Sequence, residues 1–236
     1  MKTVLHPADT RGHANHGWLN SYHTFSFAGY ENAERIHFGA LRVLNDDTVA
    51  KGMGFGKHPH DNMEIVSIPL SGDLHHQDST GRDKIIRQGD VQIMSAGSGI
   101  AHSEMNASRE KEVKFLQIWV FPKEKNIEPR YEQKAFDLDK QKNKLVTVVA
   151  PDDKEAIRIN QDARFTLGKL DAGNNASYKP FSEKNGVYVF VIDGKVSVNG
   201  QELNTRDGFG IWETDSLEIK ADTDAEVLLI DVPMTL

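Results

Sequence analysis

The sequence predicts an all-β protein built as two similar barrels, and two observations carry that reading. The first is a series of short β-type runs parted by Gly, Asp and Asn, with little helical periodicity between them. In the first half these are HFGALRVL, MEIVSIPL, VQIMSA and KFLQIWVF; in the second they are KLVTVVA, RFTLGKL, VYVFVI, KVSVNG, FGIWE and AEVLLIDV. The second observation is an internal repeat. Ser71-Gly72 closes a strand in the first half, a polar hairpin follows, and then Gln88-Gly89-Asp90 opens VQIM. Asp193-Gly194 closes a strand in the second half, and Arg206-Asp207-Gly208 opens FGIW.

Taken in order, the opening HGWLNSYHTFSF is rich in aromatic residues, and its His16 and His23 are expected to pack in the core rather than to ligate. Gly52, Gly54 and Gly56 precede His58 and suit a tight entry into a strand or a close backbone approach. The run from His58 to Leu70 reads as one strand, with His58, His60, Asn62 and Glu64 on one face. His75-His76, in the hairpin LHHQDSTG, is expected to be solvated. Phe115, Gln117, Trp119 and Phe121 share a strand face that reads as core. Asp193-Gly194 and Asn199-Gly200 bracket a short strand as two tight turns. The polar segment Lys123–Arg130, flanked by Pro122 and containing Pro129, is the expected bridge. The change of unit then falls between about Lys123 and Leu145, giving units 1–125 and 126–236.

Composition excludes several classes. With 236 residues, 38% hydrophobic and 27% charged, the chain is long enough to bury a core and too apolar to be disordered. A net charge of −7, with Lys and Arg scattered among acids, argues against a nucleic-acid partner. No run approaches the roughly eighteen apolar residues of a membrane span. The N-terminus lacks the apolar core of a signal peptide, so the cytoplasm is the expected location. The absence of cysteine removes disulfides, thiolate nucleophiles and zinc–thiolate motifs. A metal must be held by the ten histidines and the carboxylates.

Two short motifs fit that requirement. His58-Pro59-His60 and His102-Ser103-Glu104 each place two donors on one side of a strand, because residues i and i+2 point the same way. Two such pairs on facing strands make a four-ligand site suited to one divalent transition metal, namely iron, manganese, nickel, copper, cobalt or zinc. Four protein ligands leave coordination positions for water, dioxygen or substrate. Glu64 shares the histidine face and competes with Glu104 for the carboxylate position; the pairing favours Glu104 as ligand and Glu64 as its neighbour. Stepping back fourteen and twelve residues from Gly72 reaches His58 and His60, whereas the same steps from Gly194 reach Pro180 and Ser182. Only the first barrel is expected to bind metal.

GFGKHPHDNMEIV, GDVQIMSAGSGIAHSEMN and HGWLNSYHTFSF together resemble the pirin family, two-domain members of the cupin superfamily, and most nearly its bacterial pirin-like quercetin 2,3-dioxygenases. Gly52, His58, His60 and Glu64 also have the spacing of the first general cupin motif. The second motif is looser: His102 and Asn106 keep their spacing, but Gly97-Ser98-Gly99 replaces the usual Pro-x-Gly, as in pirins. The resemblance implies a bicupin, two double-stranded β-helix (jelly-roll) barrels in tandem, with His58, His60, His102 and Glu104 as ligands of an iron(II). It implies oxidative cleavage of a flavonol-like aromatic substrate by O2, with release of carbon monoxide. The flavonol must first lose its 3-hydroxyl proton, and Glu104 or Glu64 is the available base. Other pirins are iron-dependent regulatory proteins that bind a transcription factor or a metabolic enzyme, so a protein partner is the alternative. A cupin isomerase or hydrolase using zinc or manganese is a third reading. An open apolar cavity at the metal distinguishes the enzyme from the regulator, which would keep a closed site and an exposed apolar patch.

Overall fold

Alternating runs with one buried face must pair edge to edge and then stack, and this chain does so twice. A computed structural model describes residues 1–235 as four sheets forming two sandwiches. In the first, a seven-stranded sheet has the spatial order Arg130–Ala135, Asp90–Ser95, Glu64–Ser71, Val113–Val120, Leu41–Val49, Leu19–His23 and Gly12–Asn15. Its four-stranded partner is ordered Gly54–His60, Ile100–Asn106, Leu74–Asp78 and Asp83–Ile86.

The second sandwich repeats this plan. Its seven-stranded sheet runs Lys2–His6, Gly208–Trp212, Asn185–Asp193, Ala225–Pro233, Arg164–Leu170, Leu145–Ala150 and Ile157–Arg158. The smaller sheet runs Asn175–Tyr178, Leu217–Ala221, Lys195–Val198 and Gln201–Asn204. The repeated turns are alike in detail. Asp90 Oδ2 accepts the Arg87 backbone N–H at 2.8 Å, and Asp207 Oδ2 accepts that of Asn204 at 2.8 Å. Asn199 and Gly200, with φ of 47° and 85°, make the expected two-residue turn between Val198 and Gln201.

The halves exchange edges. Lys2–His6 pairs with Gly208–Trp212 of the second sandwich, and Arg130–Ala135 pairs with Asp90–Ser95 of the first. The two large sheets also share one core, in which Val66, Leu116 and Ile118 lie with Val148, Phe165 and Leu228. Fully burying each such side chain contributes about 1.5–3 kcal/mol, so this interface ties the two sandwiches together strongly. The inner faces of the two sandwiches are therefore left to differ. No helix among the described residues is long and apolar enough to cross a membrane.

Candidate metal centre

Three strands of the small sheet in the first sandwich aim their inner faces at one point. Ile100–Asn106 lies between Gly54–His60 and Leu74–Asp78, and its alternation turns His102, Glu104 and Asn106 inward. His102 is the cross-strand partner of His58, while Glu104 is the partner of His76. A bulge between His102 and Glu104 shifts the register with Gly54–His60. Gly54 permits the close approach there, since a Cβ would sit 2.3 Å from the Glu104 carbonyl oxygen. Asn106 is structural: its amide donates to the carbonyls of Val49, Ala50 and Lys111.

The ligating atoms of His58, His60 and His102 lie within 4.8 Å of one another. Hydrogen bonding selects the tautomers needed for metal binding. His58 Nδ1 donates to the Gly56 carbonyl at 2.7 Å, which leaves its Nε2 lone pair free. The Asp78 carboxylate accepts from His76 Nε2 at 3.0 Å, so His76 Nδ1 is an acceptor for His102 Nδ1–H at 3.4 Å. His102 Nε2 is then a lone pair, buried and without a hydrogen-bond partner. Burial, with the neighbouring imidazoles acting in the same direction, lowers His60 to about 4 and His102 to about 3. Neutral imidazoles and one orphaned buried nitrogen are the donor set a transition metal requires, and the residues fit such an ion.

Glu104 is buried and lies with His76 and His102 in a second group of the same span. One carboxylate oxygen is 3.0 Å from the Ser67 hydroxyl, and the other accepts from the Gln117 amide at 2.5 Å. A carboxylate has about four lone-pair sites, so these bonds leave capacity for a metal. Glu64 lies elsewhere. Asn62, at φ 47°, turns the chain out of the small sheet, and Glu64 begins a strand of the large one. There it accepts from the Ser95 hydroxyl and the Asn160 backbone N–H, at the junction with the second half. The expected single strand from His58 to Leu70 is thus two strands, and the turn resets the inward parity.

His76 is a correction. Instead of facing solvent it is completely buried, with Tyr131 packed 4.8 Å from its ring. His75 does point outward, to Asp83. Tyr131 comes from the exchanged strand Arg130–Ala135, a pairing that no local pattern announces. The strand Val113–Val120 also differs from expectation. Phe115 is core, but Gln117 and Trp119 line a cavity of about 800 Å³ together with His58, His60 and Glu104. Trp18, Phe27, Tyr30 and Phe55 form its aromatic walls, and His16 and His23 line it without joining the metal-binding groups. A second cleft of about 910 Å³, where the halves meet, contains none of these histidines.

Asp47 was not singled out by the sequence. It lines the same cavity, is buried, and accepts a short hydrogen bond from the Ser21 hydroxyl. Burial outweighs that bond and, with Asp46 and Glu104 nearby, raises its pKa to about 7. The available signal was Asn45-Asp46-Asp47 within a strand otherwise rich in Val and Leu, where alternation must send one of the two acids inward. Asp46 points outward, to Arg11 and Arg206.

Comparison with known proteins agrees with this architecture. The Pirin family model matches residues 5–120, and the model described as quercetinase C-terminal cupin domain matches 147–232. The chain is 44% identical over 230 residues to the quercetin 2,3-dioxygenase of Escherichia coli K12, covering 97% of this chain and 98% of that protein. It is 41% identical to a pirin-like protein of Caulobacter vibrioides, over 95% of this chain and 97% of that one. The crystal structure of the E. coli pirin YhhW in complex with nickel(II) superposes with a TM-score of 0.93 at 41% identity, covering 98% and 99% of the two chains. With two cupin sandwiches in tandem and relatives alike along almost their whole length, the chain belongs to the pirin family.

Proposed function

We propose that this bicupin is a metal-dependent flavonol 2,3-dioxygenase, with its metal held in the first sandwich by His58, His60, His102 and Glu104. The observation that carries the reading is the cavity itself: an aromatic-walled space of about 800 Å³ that opens onto the histidine cluster. That is ample for a three-ring aromatic ligand, given that ligand pockets span roughly 300–1,000 Å³. When bound, a redox-active metal such as iron(II) would supply a binding position for the substrate's deprotonated 3-hydroxyl and for O2 chemistry.

The chain's own residues do the rest. His58 and His60 are half-buried and form the cavity side of the cluster, while His102 and Glu104 anchor it from beneath. Trp119, 5.0 Å from the His60 ring, offers an aromatic edge against which a flat substrate can lie. Ser67 and Gln117 hold the Glu104 carboxylate in place. Both atoms of O2 enter the ring-opened depside and one ring carbon leaves as carbon monoxide, so no external reductant is required. Relatives named quercetin 2,3-dioxygenase support the substrate class.

The alternative regulatory reading expects a closed site and a contiguous exposed apolar patch. The large hydrophobic side chains most exposed among the described residues are Met1, Leu5, Ile36 and Met53, at the N-terminus, on the first strand, in a loop and just after a turn. The enzyme reading is tested by loading the chain in turn with Fe(II), Mn(II), Ni(II), Co(II), Cu(II) and Zn(II). Quercetin loss should be matched by O2 uptake and carbon monoxide release with at least one metal. Stoichiometric binding without turnover for every metal would replace this reading with the regulatory one.

A further inference from the structure

A buried carboxylate with no cation beside it is costly, and it persists where burial serves another purpose. Asp47 is such a group. It is 3% exposed, forms no ion pair among the described residues, and has one hydrogen-bond donor, the Ser21 hydroxyl on Oδ1. Its Oδ2 has no hydrogen-bond partner, yet is not among the sealed, unpartnered atoms. The residue lines the cavity, and Oδ2 is its one oxygen left uncommitted there.

We propose that Asp47 is the base that takes the proton from the substrate's acidic hydroxyl, with Ser21 positioning the carboxylate. The inference rests on the dioxygenase reading and deepens it. The substrate O–H bond breaks, its electron pair stays on the substrate oxygen, and the proton passes to Asp47 Oδ2. The ring-opened product leaves as a carboxylate and the proton passes from Asp47 to solvent, so Asp47 ends the cycle as a carboxylate.

This assignment separates two duties that one glutamate could not easily combine. Glu104 is held by Ser67 and Gln117 and lies with His102 and His76, an arrangement suited to staying in place. Glu64 is outside the cavity, engaged by Ser95 and Asn160. Asp47 comes from the opposite, seven-stranded sheet and keeps one oxygen uncommitted. The titratable groups sharing its cavity are Glu104, His13, His16, His23, Tyr30, His58 and His60, and Asp46 on its own strand is turned away to Arg11 and Arg206. A raised carboxyl pKa, caused chiefly by burial, agrees with a group poised to exchange a proton near neutral pH.

The test mixes the nickel(II)-loaded chain rapidly with quercetin without oxygen and follows the rate at which the long-wavelength absorption of the bound flavonolate appears as pH is varied. Asp47→Asn should slow flavonolate formation by about 100-fold at pH 8. With the turnover-supporting metal in air, it should lower kcat/KM by about 100-fold while leaving metal content unchanged. Ser21→Ala keeps the carboxylate and should slow flavonolate formation by less. An unchanged rate of flavonolate formation in Asp47→Asn, with wild-type chain binding and turning over quercetin, would overturn the role of Asp47 and leave the dioxygenase reading intact. If Asp47→Asn did not fold, an unchanged rate in Ser21→Ala would overturn it equally. A wild-type chain that binds no quercetin would defeat the dioxygenase reading, and this inference with it.

Discussion

The two sandwiches share the order of their smaller sheets and of the central strands of their larger ones, yet one interior is polar and the other mainly apolar. Between the sheets of the second lie Val187, Val189, Val191, Val196, Val198, Phe209, Ile211, Leu217 and Ile219, an apolar filling beside which the buried Asp231 accepts hydrogen bonds from Tyr178 and Asn185. The corresponding space in the first holds His76, His102, Glu104, Ser67, Gln117, Asn45 and Asp47, with apolar clusters only to either side. Since the second sandwich shows that the frame closes around aliphatic side chains, polarity in the first is not a demand of the fold. Buried polar groups without full satisfaction cost about 1–3 kcal/mol each, and His102 Nε2, His23 Nδ1 and Asn45 Oδ1 are all unpartnered. The first interior carries most of these unsatisfied atoms, and the candidate site lies among them.

That contrast can be broken most severely from the second sandwich. Val189→Asp would place a carboxylate in its sealed core, where Val189 is 0% exposed; the expected destabilisation is about 3–5 kcal/mol, read as a lower midpoint in urea. A loss of less than about 1 kcal/mol would mean that the second interior tolerates polarity as the first does.

The reciprocal change should stabilise the first sandwich. Asp47 has a folded pKa near 7 against an ordinary value of 3.8, so the folded state holds an extra proton between these values. Its contribution is fully present below about pH 4 and is lost as pH rises through 7, because the folded state binds more protons than the unfolded one in that window. Asp47→Asn has no such loss and should exceed wild type at pH 8 by up to about 4 kcal/mol, at ~1.4 kcal/mol per pKa unit. Denaturation curves at pH 5 and pH 8 check this; parallel pH dependences in the two proteins would contradict it.

Smaller effects are expected around the metal. His76→Phe preserves the ring but removes the acceptor that fixes the His102 tautomer, and should weaken metal binding about 10- to 100-fold by calorimetry. The smallest effect belongs to the exposed pair between the halves, Lys123 and Asp162 at 2.8 Å. Lys123→Ala should change stability by at most about 1 kcal/mol, because exposed ion pairs are screened and the shared apolar core holds the halves together.

How far the sequence could be read follows from what strand alternation encodes. Paired donors at i and i+2 are visible because both point to one side whichever side that is, which is why the gathering of His58, His60 and His102, with Glu104 beside His102, could be anticipated. The repeated Gly-Asp turns were visible for a similar reason, since φ and hydrogen bonding restrict them locally. Single inward residues were not: His76 and Asp47 each have an adjacent twin, His75 and Asp46, and only the sheet decides which of the two is buried. Glu64 was misjudged because one left-handed residue, Asn62, restarts the alternation in another sheet. The exchange of Lys2–His6 and Arg130–Ala135 depends on pairing across most of the chain, and neither strand carries a local sign of its partner.

Metal stoichiometry tests the asymmetry between the two sandwiches most directly. Wild-type chain and a His58→Ala/His60→Ala variant would be titrated with nickel(II) by calorimetry and checked by elemental analysis after desalting. The account predicts one metal per wild-type chain and none in the variant, with thermal unfolding of the metal-free forms little changed because both side chains are only half-buried. Two metals per wild-type chain, or one retained in the variant, would contradict it.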